Sequence, residues 1–184
     1  MYVVLIRTHN LSARLIHFGM FLWAILRFKK PKYIYNHVEI VYRDKKGNLM
    51  TVGAVSPTVR IMKWKDYVEE HEGRFFKYKA YEIFPQRFIL HSSKFRNARI
   101  LALNFLMSQL GKKYEYANFF YHAVRIFTGK WYGSRTTRRQ YCLELAIRTI
   151  NKSPLINLPV FISPYEFQEF LDKKTLSTPL TCLE

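Results

Sequence analysis

Cysteine is nearly missing from this chain: Cys142 and Cys182 are the only two among 184 residues, and the second sits in a Thr/Pro/Leu stretch near the C-terminus. A disulfide scaffold is thereby excluded as the source of stability, and a reducing compartment is expected. Glycine and proline are scarce too, at 7 residues each, with no linker, repeat or low-complexity tract. One domain over residues 1–184 is expected. Long apolar runs are lacking as well. The most membrane-like stretch, Leu15 to Phe28, is interrupted by His17 and Arg27 and preceded by Arg14. Its uncharged run falls short of the ~20 residues that span a bilayer, so a buried or surface-lying amphipathic helix is expected there. The opening Met-Tyr-Val-Val-Leu-Ile lacks a basic leader and a small-residue cleavage site. A cytoplasmic location follows as the expectation, with peripheral membrane association open.

Acidic side chains are also few, 13 Asp+Glu against 30 Lys+Arg, which leaves a formal charge of +17. Such a field favours an anionic partner, whether nucleic acid, anionic lipid or an acidic polymer. No zinc-ligand spacing, Gly-rich phosphate loop or helix-turn-helix is present, so neither a metal nor another cofactor is expected. What is plentiful is apolar side chain, 49% of the residues, enough to build a real core.

The order of elements is mixed, with helices and strands segregated. Tyr2 to Arg7 reads as a short apolar strand, and Ser12 as the cap of a helix running to about Phe28, closed by Pro31. Asn36 to Tyr42 and Leu49 to Val55 read as strands joined by the turn signal Asp44-Lys-Lys-Gly-Asn48, an antiparallel hairpin. A short helix follows over Trp64 to Glu70, then an aromatic-rich strand over Phe75 to Phe84. Ser92 or Ser93 caps a helix whose apolar positions are Ile100, Leu103 and Met107, stopped by Gly111. A further helix is expected over Tyr116 to Phe127. The loop Thr128 to Gln140 carries Lys130, Arg135, Arg138 and Arg139 with Gly129 and Gly133. Leu143, Ala146, Ile147 and Ile150 then recur at i, i+3, i+4 and i+7, a helix laid on a core. Ser163-Pro164-Tyr165-Glu166 opens a last helix, with a capping serine, proline at the first helical position and glutamate three residues after the cap. The fold class is α+β, a small antiparallel sheet packed against helices.

Cys142 falls at a helix N-terminus, where backbone N–H groups and the positive end of the macrodipole favour a thiolate and offer donors to an oxyanion. A thiol nucleophile needs a base. Of six histidines only His37 lies in a strongly patterned strand, whereas His9, His17, His71, His91 and His122 lack that setting. Glu39, two residues on, projects from the same strand face and is the candidate third member; Glu82 on the later strand is a weaker one.

These segments resemble the permuted branch of the NlpC-type papain-like hydrolases, the YiiX-like proteins. Asn36-His37-Val38-Glu39-Ile40-Val41 is similar to that branch's His-Val-Gly-Ile strand, and Tyr141-Cys142-Leu143-Glu144-Leu145 to its Tyr-Cys-Ser-Glu-Leu nucleophile motif. Gly111-Lys-Lys-Tyr114-Glu115 is similar to the Gly-x-x-Tyr-Asp stretch between them. Leu143 departs from the usual serine, and Gly53-Ala54 stands where many relatives have Glu-Ala. The resemblance implies a papain-like core in circularly permuted order, with Cys142 as nucleophile and His37 as base, cleaving an amide or ester bond. Tyr114 and Tyr141 are substrate or oxyanion candidates, Tyr114 with packing as its alternative role, and Glu144 is expected to serve the helix dipole or an arginine. The implied substrate is a cell-wall peptide, an acidic peptide or a lipid. The competing expectation is a non-enzymatic basic protein that contacts nucleic acid or an anionic membrane.

Overall fold

A computed structural model of the chain describes residues 1–8, 14, 18, 21–22, 25–26, 35–71, 75–115, 139–153, 156–159, 162, 164–174 and 177–178. Among the described residues, eight strands form one sheet: β1 (Tyr2–Thr8), β2 (His37–Arg43), β3 (Leu49–Val55), β4 (Thr58–Lys63), β5 (Phe75–Glu82), β6 (Lys113–Tyr114), β7 (Arg139–Gln140) and β8 (Ser177–Thr178). They lie in the order β7-β6-β4-β3-β2-β1-β5-β8, antiparallel except for the short β6–β7 pair. The described helices are α1 (Trp64–Glu70), α2 (Gln86–His91), α3 (Ser93–Ser108), α4 (Cys142–Ile150) and α5 (Pro164–Lys174). The architecture is therefore α+β, a mainly antiparallel sheet with helices packed on it. No helix among the described residues is long and apolar enough to cross a membrane.

Local chemistry accounts for the strands. In β1 every position from Val3 to Ile6 is apolar, which suits a strand buried on both faces, and β1 indeed runs between β2 and β5. The β2–β3 hairpin turns where the sequence signals it. The Asp44 carboxylate accepts the Lys46 and Asn48 backbone N–H groups at 2.8 and 2.9 Å, and Gly47 takes φ +84°, a region L side chains avoid. The β4 strand adds to the expected elements. Its Thr-Val-Arg-Ile-Met-Lys alternates with period two, but only Val59 is fully buried, so two basic residues and a thin apolar set obscure the signal.

One face of the sheet carries the main core. Val3 and Leu5 of β1, Val38 and Ile40 of β2, and Val52 and Ala54 of β3 pack there with residues of α3, α4 and α5. In α4 the expected positions Leu143, Ala146, Ile147 and Ile150 are all buried, and so are Glu144, Leu145 and Thr149, so this helix is enclosed on nearly every side. Each fully buried Leu or Ile of that set contributes roughly 1.5–3 kcal/mol. The α3 stripe is rotated from the expected one. Ala98, Ala102 and Leu106 face the core, Leu103 and Met107 are partly buried, and Ile100 is exposed. Two alanines at i and i+4 let the helix backbone approach closely, a contact that hydropathy alone does not rank. Ser92 makes no side-chain cap, while Gly111, at φ +76°, follows the helix end as expected.

The opposite face is covered more thinly. Val4, Ile6, Val41 and Ala80 meet Trp64 and Tyr67 of α1, whose rings stack at 5.6 Å, while Tyr78 meets Trp64 edge-on at 5.7 Å. Arg60 on β4 ties this helix down through both terminal nitrogens to Glu70, each at 3.1 Å. Ser12 and Ser163 as caps, the expected helix over Tyr116 to Phe127, the basic loop up to Arg138, and Cys182 lie outside the described residues.

Candidate active site

The alternation of β2 puts His37 and Glu39 on one face, the one α1 covers. Two same-face neighbours on a strand need not touch, yet here they do: His37 Nε2 and Glu39 Oε1 are 2.7 Å apart. The reason lies in what surrounds the carboxylate. Glu39 is 1% exposed, and a buried carboxylate is tolerated only when hydrogen-bond donors converge on it. Thr51 on β3 donates to its Oε2 at 2.7 Å, and the hydroxyl of Tyr67 on α1 also donates to this carboxylate. Burial, then the Glu39 charge, pushes the Tyr67 phenol well above its ordinary range, so it stays a donor.

Gly53 makes room for this arrangement. Ile40 pairs with Val52, which sets Glu39 across from Gly53 on the neighbouring strand. A Cβ added at Gly53 would overlap the Glu39 carboxylate. A glycine inside a strand marks a close approach of another group, and here that group is Glu39.

Cys142 arrives from the other layer. It is the first residue of α4, preceded by Tyr141 in extended conformation and by the strand β7. Its thiol is half-buried and hydrogen-bonds to the His37 side chain. Burial disfavours a charged ring at His37, but the hydrogen bonds and charges of Cys142 and Glu39 outweigh it and push the histidine up to about 10. A thiol, an imidazole and a carboxylate thus form one hydrogen-bonded chain across two elements, β2 and α4, the arrangement that proton transfer from sulfur to a held base requires.

The remaining candidates are placed as follows. Tyr114 pairs with Gln140, on the strand that leads into Cys142, and is half-buried against the core. Tyr141 is buried in the core, and its carbonyl accepts the Leu145 N–H at 3.0 Å. Glu144 binds Arg148 at 2.7 Å, one of its two expected roles, with its other oxygen buried and unpartnered. Burial pushes the Glu144 carboxyl up, Arg148 opposes, and the nearby Glu115 charge adds to the rise. Glu82 closes β5 opposite Tyr2, with β1 between it and β2, and its charge acts on the Met1 amine. His71 accompanies Tyr67, with Nδ1 2.8 Å from its carbonyl, and His91 is exposed. His9, His17 and His122 lie outside the described residues. Thr51 and Tyr67 join the site without a clear mark in the sequence. A threonine within an apolar strand is a faint signal, and nothing in the local pattern of α1 marks Tyr67.

No protein-family model matches the chain, and no curated protein does.

Proposed function

We propose that this chain is a cysteine hydrolase that cleaves an amide or ester bond by acyl transfer, built on a papain-like core in circularly permuted order. The observation that carries the reading is the imidazole of His37 held between the Cys142 thiol and the buried Glu39 carboxylate. With Nε2 engaged by Glu39, Nδ1 is the nitrogen left to take the thiol proton. The sulfur then attacks the carbonyl carbon, His37 returns the proton to the leaving amine or alcohol, and water releases the acyl group from Cys142. Glu39 orients the ring and stabilises its cation without itself moving a proton. Backbone N–H groups at the start of α4 and the side chain of Tyr114 are the oxyanion donors in this scheme.

The positions of Glu39 and Gly53 support the family reading despite the departure in sequence. The related branch has glycine two residues after the histidine and glutamate on the next strand; here the two residue types are exchanged between facing positions. Either arrangement delivers a carboxylate to the same space. The net charge of +17 supports an anionic substrate such as an acidic peptide, a cell-wall fragment or a phospholipid.

The test is Cys142→Ala. Labelling by iodoacetamide at the site and turnover across a panel of fluorogenic amides and esters should both vanish, with the circular dichroism spectrum and melting temperature retained. Turnover that survives in the variant would sink the assignment.

A further inference from the structure

Between β1 and β2, residues Arg14, Phe18, Phe21, Leu22, Ile25 and Leu26 are helical. Counted from Phe18 they fall at −4, +3, +4, +7 and +8, which places all of them on a single helical face. Most of that face is turned to water, with Leu22 half-buried. Phe18 is 65% exposed, Phe21 50%, Ile25 49% and Leu26 48%, and Arg14 at its start is exposed too. A helix folded onto a core does the reverse, as α4 does with Leu145 and Ile147 at 1% and 0%. Large apolar side chains set side by side in solvent mark a surface that something else covers.

Charge decides between the possible occupants. The first acidic residue in the chain is Glu39, which is buried and bound to His37 and Thr51. Between Thr8 and Asn36 stand Arg14, Arg27, Lys29, Lys30 and Lys32, and no Asp or Glu. A face of Phe, Leu and Ile in a segment that carries only positive charge matches a helix lying in the plane of an anionic bilayer. Its apolar side chains enter the acyl boundary, and its Lys and Arg meet headgroup phosphates. A second copy of the chain would set this uniformly cationic segment against itself, which opposes self-association.

We propose that the exposed face carrying Phe18, Phe21, Ile25 and Leu26 docks the protein on the surface of an anionic lipid membrane, lying on the bilayer and not spanning it. None of these four residues belongs to the Cys142–His37–Glu39 set, so docking needs no catalysis.

Flotation of the full chain with vesicles of phosphatidylcholine alone, and of phosphatidylcholine mixed with phosphatidylglycerol, tests it. Binding to the mixed vesicles should be stronger by about tenfold or more, and should weaken as salt is raised. The pairs Phe18→Ser/Phe21→Ser and Ile25→Ser/Leu26→Ser should each lower binding by roughly tenfold without lowering the melting temperature. Cys142→Ala should bind as the parent does, so a failed hydrolase reading leaves this test intact. Equal binding to both vesicle types, or undiminished binding in both double variants, would overturn the proposal. So would a dimer in sedimentation velocity that the double variants dissolve, since that would give the face to a second copy.

Discussion

The two faces of the sheet are built on different terms. One is a thick apolar layer beneath α3, α4 and α5, with Leu145, Ile147, Ile150, Phe167 and Leu171 almost wholly withdrawn from water. The other is a small cluster beneath α1, and it alone takes in the polar set Glu39, Thr51 and Tyr67. The thick layer fixes where α4, and so Cys142, can sit. The thin layer fixes how the His37 ring is turned. Sulfur comes from one side and the imidazole is oriented from the other, so position and orientation are set by separate groups of contacts. Charge can be buried on the thin side because β3 and α1 each supply a donor within reach of the carboxylate.

The largest expected effect tests the thick face. Ile147→Ala should destabilise the fold by about 2–5 kcal/mol in urea denaturation, because the enclosed helix α4 cannot relax into the cavity. Next comes the thin face. Gly53→Ala brings a Cβ onto the Glu39 carboxylate and should destabilise by about 1–3 kcal/mol while reducing turnover. The double variant Glu39→Ala/Gly53→Ala should be less destabilised than the sum of its singles, since no carboxylate remains for the Cβ to meet. Additive losses would separate Gly53 from Glu39.

The smallest effect is a pH dependence. His37 rises from the ordinary ~6.5 to about 10 in the folded chain. A raised histidine contributes stability that is fully present below about pH 6.5 and is lost as pH climbs through about 10. The stability difference between the parent and His37→Gln, measured by urea at about pH 6 and about pH 10.5, should therefore narrow at the higher pH. A change on the order of 1 kcal/mol is expected, well below the full shift. A difference that stays constant would mean that the ring is not held as a cation.

Much of this was legible in the linear chain where the signal is local. The β2–β3 hairpin follows from strand composition around an Asp-to-Asn turn, and α4 from one apolar period. His37 stands out because only one histidine opens a patterned strand. The α3 stripe departs from the hydrophobic period because Ala98 and Ala102 are buried for their small size, which such a period does not weigh. Glu39 could be named as a candidate from strand alternation, while Glu82 stayed open because no local rule says which strands become neighbours.

By itself the amino-acid order determined the α+β class, the hairpin, the helix that begins at Cys142 and the excess of positive charge, since each depends on residues close together along the chain. Only the tertiary structure decided that His37 reaches both the thiol and Glu39, that Gly53 clears space for the carboxylate, that Thr51 and Tyr67 hold it, and that Phe18 and its neighbours face water. Apart from the His37–Glu39 pair, those are meetings, or failures to meet, between segments far apart in sequence. They are settled by how the sheet orders its strands and which helix covers each face, and these are properties of the whole packing arrangement, outside the reach of any single stretch.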